Sequence, residues 1–271
     1  MSKVIDCFMF FNEIPMLNFR LDYLKDFVDQ FVCVEATSTF SGKSKSINSE
    51  SFQNISNFHT HLVHLPQYVE PVQDGYWPTE NQHWCKERYQ RNKILEKLNE
   101  MNLSDDDIIL VHDVDEIPDR NTIVELRKTN FDICCLKKSI YYYNICCKHK
   151  MFCNVGKAVR YGFLKNTVKE VNHLRWWHGR SNDNMVIEKG GWHFSYFGDI
   201  EFIKTKIGNF SHQELNNQMV INDSKIFDCI KGCKNLVQEE DDSFYFIETH
   251  KNDYLPENWE KHKELFLPEV S

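Results

Sequence analysis

The chain has 271 residues, of which 41% are hydrophobic and 27% charged, and its net charge is −8. This composition fits one large α/β domain or two small ones and excludes a disordered or fibrous chain. No block of five or six like charges offers the basic surface that nucleic acid requires, and no apolar stretch reaches membrane-spanning length.

Residues 4–11 form a short apolar run that predicts a first buried strand. Pro15 opens a helix in which Leu17, Leu21, Leu24 and Val28 recur at helical spacing. Phe31-Val32-Cys33-Val34 reads as a second buried strand ending in Glu35, completing a βαβ unit of a parallel sheet. Residues 37–57, rich in Ser, Asn and Lys, predict a loop, and His59 to Leu65 a third strand. Residues 80–101 predict a long helix with Trp84, Ile94, Leu95 and Leu98 on its apolar side and Glu87, Arg88, Gln90 and Arg91 on its polar side. Ile108-Ile109-Leu110-Val111 is a continuous apolar run of the kind found in central parallel strands. Residues 119–128 predict a helix, 131–147 one or two strands, Trp192 to Phe197 a strand, and Asp199 opens a helix through Phe202, Ile203, Lys206, Ile207 and Phe210. Residues 150–190 show no periodicity that decides between helix and strand. With no repeat or linker, a single α/β domain with a mostly parallel central sheet flanked by helices is expected.

Ten cysteines raise the question of disulfides. Cys134-Cys135 and Cys146-Cys147 lie in apolar runs, where buried free thiols are common, and Cys229 and Cys233 read as structural thiols on a helix. The chain opens without the basic start of a signal peptide, so a cytoplasmic location with free thiols is expected. In that setting the Asn-x-Ser sequons at Asn54, Asn102, Asn209 and Asn222 carry no weight.

The segment with the clearest chemistry is His112-Asp113-Val114-Asp115-Glu116, at the end of the central apolar run. Ligands in open α/β sheets collect at the carboxyl ends of strands. In an extended segment, residues i and i+2 project to one side, so Asp113 and Asp115 are expected to face a single site. Paired carboxylates suit a hard divalent ion, Mn²⁺ or Mg²⁺, which neutralises a departing diphosphate. The plain alternative is a solvated acidic turn leading into a helix at Pro118 or Asp119.

Three segments in order carry a resemblance: Leu21-Asp22-Tyr23-Leu24 through Phe40-Ser41-Gly42-Lys43, Asp106 to Pro118, and Gly190-Gly191-Trp192-His193-Phe194-Ser195-Tyr196 extended by Asn209-Phe210-Ser211-His212-Gln213-Glu214. Together the chain resembles glycosyltransferase family 17, whose best-known members add the bisecting N-acetylglucosamine to N-glycans. The resemblance implies a GT-A-like domain, with a nucleotide-sugar half at about 1–118 and an acceptor half at about 119–271. It also implies a UDP-sugar donor, UDP-N-acetylglucosamine in characterised relatives, a divalent metal and inversion at the anomeric carbon. Animal relatives carry an amino-terminal membrane anchor. This chain begins almost at its first strand, which points away from the bisected N-glycan acceptor and towards a compact microbial or viral enzyme with another glycan or hydroxyl acceptor.

Roles follow from residue type and position. Asp115 is expected to contact the metal, and Asp113 the metal or the ribose. Glu35 is expected to hydrogen-bond the ribose or base, with a surface carboxylate as the plain alternative. Arg91 offers a planar fork to the diphosphate, against a helix ion pair with Glu87 four residues earlier. His193 and His212 are candidates to complete the metal shell, and Trp192 to stack on a sugar, with core packing the default for each. Inverting transfer needs a base for the acceptor hydroxyl; Asp199 and Glu214 are the candidates, with helix capping and solvation as their alternatives. Two other functions fit the same acids: a metal-dependent nucleotidyl- or phosphoryl-transfer enzyme, and a non-catalytic carbohydrate-binding protein on the same fold.

Overall fold

The computed structural model describes residues 2–72, 81–177, 185–217, 220–237 and 241–269, with the side chain of Glu214 outside that description. The apolar runs form the centre of a ten-stranded mixed sheet. Strands β1 (Val4–Phe10), β2 (Gln30–Ala36), β3 (Phe58–Val63) and β4 (Ile108–Asp113) pair in parallel in the order β3-β2-β1-β4. Beyond β4 the sheet turns largely antiparallel, through β8 (Lys157–Arg160), β6 (Ile133–Tyr142), β7 (Cys147–Cys153) and β10 (Phe244–Phe246). Two strands leave this path: β9 (Met185–Ser195) runs parallel beside β6, and β5 (Glu116–Pro118) pairs antiparallel with β9.

Both faces of the central strands are covered, which is why their sequences read as largely apolar runs rather than alternating ones. On β1, Val4 and Phe8 pack towards α1 (Ile14–Leu24), while Ile5 and Cys7 pack towards α2 (Gln82–Asn99) through Ile94 and Leu98. On β4, Ile108 and Leu110 join the first cluster, and Ile109 and Val111 the second. Helix starts are capped as residue type dictates: Asn81 accepts from the His83 amide, Asp119 from that of Asn121, and Asp199 from that of Phe202. These open α2, α3 (Arg120–Leu126) and α6 (Ile200–Ile207). No helix of the described residues is long and apolar enough to cross a membrane.

Four expectations need correction or completion. The expected polar side of α2 is partly its inner side: Gln90 and Arg91 are buried, Gln90 donating to the Val34 carbonyl. Glu35 does not end its strand but sits fully buried within β2. Residues 150–177, unread from periodicity, hold β8 and the short helices α4 (Tyr161–Phe163) and α5 (Val171–Arg175), elements too brief for a period to show. Finally, the cysteines are not all free: Cys147 on β7 is bonded to Cys233, the left-handed cap of α7 (Asp223–Gly232). The partners are 86 residues apart, and only the packing of α6 and α7 on the end of the sheet brings them together. The remaining described cysteines form no disulfide.

One glycine is required by the geometry that follows. Gly191 has φ +137°, and a Cβ there would lie 2.1 Å from the Ile117 carbonyl oxygen. Its absence lets β5 approach β9, which sets Glu116 opposite His193.

Candidate active site

The acidic segment starts on β4, turns at Val114–Asp115 and re-enters the sheet as β5. Arg20 from α1 fixes that turn. Its Nη1 donates to the carbonyls of Asp113 (3.1 Å), Val114 (3.1 Å) and Glu116 (2.8 Å). Its Nε and Nη2 bind both oxygens of Asp6 on β1, at 2.7 and 2.6 Å. Asp6 and Arg20 are both fully buried. From the other side, the Phe194 amide donates to the Asp115 carbonyl at 2.9 Å.

Above the turn lies a cleft of about 420 Å³, lined by Met9, Phe10 and Phe11 at the end of β1, Ala36 at the end of β2, and Asp113 and Asp115 at the end of β4. This is the carboxyl edge of the parallel strands, where such sheets bind ligands. Because the chain turns at Val114, the two aspartates meet different partners. Asp115 faces Lys206 of α6 (2.7 Å) and His193 Nε2 (3.8 Å). Asp113 has one oxygen on Arg91 (2.6 Å) and the other on Arg175 at the end of α5 (3.0 Å). Burial opposes the Asp113 carboxylate, but these two guanidinium groups outweigh it and hold its pKa well below the ordinary range. Glu116, fully buried beside Lys138 (3.5 Å) and Arg175 (3.6 Å), is likewise lowered, to about 2, against the penalty of burial.

His193 behaves in the opposite sense. Burial disfavours its charge, but Cys153 and then the carboxylates of Asp115 and Glu116 raise its pKa to about 9. For Lys206, burial is again the opposing influence, and Asp115 and Glu13 keep the ammonium charged well above the usual lysine range. Glu13 lies 3.4 Å from it.

The expected residues therefore divide. Asp113, Asp115, His193 and His212 all line the cleft. His212 packs edge-on to Trp84, ring centroids 4.4 Å apart, and among the described residues no third metal-capable atom joins the Asp115–His193 pair within 4.8 Å. Arg91 makes the helix ion pair with Glu87 (2.6 Å) and a second pair with Asp113; fully buried, it does not line the cleft. Glu35 is displaced from a nucleotide role: its carboxylate binds Lys45 and accepts the amides of Asn48 and Ser49, so it orders the following loop. Trp192 points away, because alternation along β9 sends it with Phe194 into the core while His193 faces the cleft. Its indole donates to the Tyr254 carbonyl. Asp199 is an exposed helix cap that does not line the cleft, and the Glu214 side chain lies outside the described residues.

Lys206 and Arg175, the cleft cations paired with the motif aspartates, were both missed by residue-by-residue reading. Lys206 had a signal, since with Ile203, Ile207 and Phe210 it makes an i, i+3, i+4, i+7 stripe in which it is the charged member. Arg175 lies in the aperiodic stretch and had none.

The comparisons with known proteins can now be set beside this geometry. The model described as glycosyltransferase family 17 matches residues 1–258. The chain belongs to glycosyltransferase family 17. No curated protein matches it. Among solved structures, this family 17 member is similar to the apo form of the glycosyltransferase GlyE from Streptococcus pneumoniae TIGR4, at 12% identity and a TM-score of 0.37. The match covers 98% of this chain and 60% of GlyE, so the chain spans about three fifths of that protein's length. A likeness at that level carries no argument about chemistry.

Whether a divalent ion fits can be judged from the donors. Asp115 Oδ1 and His193 Nε2, 3.8 Å apart, pair a hard oxygen with an imidazole at a spacing that two bonds of roughly 2.1 Å to one ion can span. Asp113 fits less well, since both its oxygens already meet guanidinium groups.

Two measurements test the frame of this site. Removing one partner from a buried pair leaves an uncompensated charge, so Arg20→Met is expected to destabilise the family 17 chain by about 3–5 kcal/mol in chemical denaturation; a loss below 1 kcal/mol would show that the clamp does not hold the turn. His112 on β4 is fully buried, and burial, then Lys138, lowers its pKa from 6.5 to about 4. The unfolded chain gains that proton near 6.5 and the folded chain only near 4. Its contribution to stability is thus whole above pH 6.5 and lost as pH falls towards 4. In denaturant titrations across that window, His112→Leu should flatten the slope of stability against pH; an unchanged slope contradicts the assignment.

Proposed function

We propose that this chain is a metal-dependent inverting glycosyltransferase of the GT-A type, moving a sugar from a UDP-sugar to a hydroxyl of a glycan or other acceptor. N-acetylglucosamine from UDP-N-acetylglucosamine is the donor the family resemblance favours. The observation that carries the reading is Asp115, held at the carboxyl edge of the sheet in a cleft, with His193 and Lys206 against its two oxygens. Asp115 and His193 are the residues that would hold the ion, Mn²⁺ or Mg²⁺. Bound there, it would supply a Lewis acid for the leaving diphosphate.

The chain's own cations share that task. Lys206 and Arg175 line the cleft, each on one of the motif aspartates, and Lys45 and Arg88 line it as well. Asp113 acts in this reading through Arg175, which it orients. The aromatic wall of Phe11, Phe40, Trp84 and Trp176 suits stacking against a base or a sugar ring. Such a wall also excludes water, the competing acceptor of an activated sugar.

The test is to incubate the protein with Mn²⁺, candidate hydroxyl acceptors and a panel of UDP-sugars. Release of nucleoside diphosphate from at least one UDP-sugar is expected. Asp115→Ala should lower turnover by about 100-fold or more, a loss of about 3 kcal/mol of transition-state stabilisation. Release of pyrophosphate would indicate nucleotidyl transfer instead. Unaltered sugar binding by Asp115→Ala, with no turnover by the parent, would indicate a binding protein.

A further inference from the structure

Beside the Asp115–Lys206 contact, a second set of side chains converges. Glu116 on β5, Cys153 at the end of β7 and His193 on β9 present a carboxylate oxygen, a thiol sulfur and an imidazole nitrogen that all lie within 4.8 Å of one another. Glu116 Oε1 is 3.9 Å from Cys153 Sγ. The three residues come from separate strands and are brought together by sheet register, Glu116 lying opposite His193 and Cys153 opposite Lys138 of β6.

We infer that Glu116, Cys153 and His193 form a binding site for a thiophilic divalent cation such as Zn²⁺, separate in ligand chemistry from the donor-site ion. Mn²⁺ and Mg²⁺ prefer oxygen, whereas one sulfur, one nitrogen and one oxygen ligand with a fourth position open is a set that zinc adopts. The 3.9 Å between sulfur and oxygen is near the edge of a tetrahedron built on bonds of about 2.3 and 2.1 Å. Glu116 is buried, while Cys153 and His193 are partly exposed and leave a route for the ion. Lys138 and Arg175 stand 3.5 and 3.6 Å from the Glu116 oxygens, beyond ordinary hydrogen-bond length, so the carboxylate keeps acceptor capacity. Their charge opposes the ion and weakens its binding.

His193 belongs to both sets. An ion held by Cys153 draws His193 from Asp115, so zinc should antagonise whatever the Asp115–His193 pair does. That consequence rests on the proposed function; the binding does not.

Cadmium titration of the whole protein reads the site through its thiolate-to-metal charge-transfer absorbance. One band saturating at one Cd²⁺ per chain is expected in the parent and in Asp115→Asn. The band should be lost in Cys153→Ser, and His193→Gln should weaken binding at least tenfold. A band of equal amplitude and affinity in Cys153→Ser would place the metal on another thiol. Indifference to His193→Gln would reduce Cys153 to a solitary thiol, and absence of a saturable band in the parent would exclude the site; each of these outcomes overturns the inference. Failure of sugar transfer alongside a normal titration would count against the transferase reading alone.

Discussion

The cleft depends on a single buried guanidinium. Arg20 joins α1, β1 and the turn after β4, and each of its nitrogens faces an acceptor, two on the Asp6 carboxylate and one on three main-chain carbonyls. Burying such a charge costs several kcal/mol unless it is fully satisfied, and turn carbonyls left without donors would add to that cost. Each side here answers the other's need. The ring of Phe8 lies 4.6 Å beneath the same guanidinium, giving it a further favourable face. With the turn fixed in this way, Asp115 is presented to the cleft by the backbone rather than by the chance of a rotamer.

The charges around the turn form a matched set. Glu13 and Asp115 face Lys206, Glu87 and Asp113 face Arg91, Asp113 also faces Arg175, and Glu116 lies between Arg175 and Lys138. In a poorly solvated site such pairs are worth more than on the surface, so any one carboxylate alters its neighbours. On the proposed reading, a diphosphate entering the cleft competes with Asp115 for Lys206 and with Asp113 for Arg175. An ion arriving with the nucleotide would compensate Asp115 for the ammonium it gives up. Donor and metal are then expected to bind as a unit, each improving the site for the other.

Much of this was legible in the sequence where the signal was local. The runs at 4–11 and 108–111 read as buried strands because both faces of those strands are covered, and Asp119 and Asp199 read as helix starts because capping depends on the next three residues. That Asp115 and His193 belong to one cleft was legible from type and position. What escaped depended on distant partners. Glu35 looked like a strand-end carboxylate, yet Lys45 and the amides of 48 and 49 engage it from the following loop. For Trp192 the default of core packing holds, since one residue of alternation turns it away from the cleft and the sugar-platform alternative with it. The Cys147–Cys233 bond needed the docking of α7 on the sheet, and Arg175 needed a fold for a stretch without period.

The most direct measurement is a crystal structure with UDP and Mn²⁺ bound. The ion is expected on Asp115 and His193, bridging to the diphosphate, with Lys206 and Arg175 turned to the phosphate oxygens and the Arg20 clamp undisturbed. Manganese and diphosphate bound elsewhere, with Asp115 still closed on Lys206, would contradict the role given to this turn.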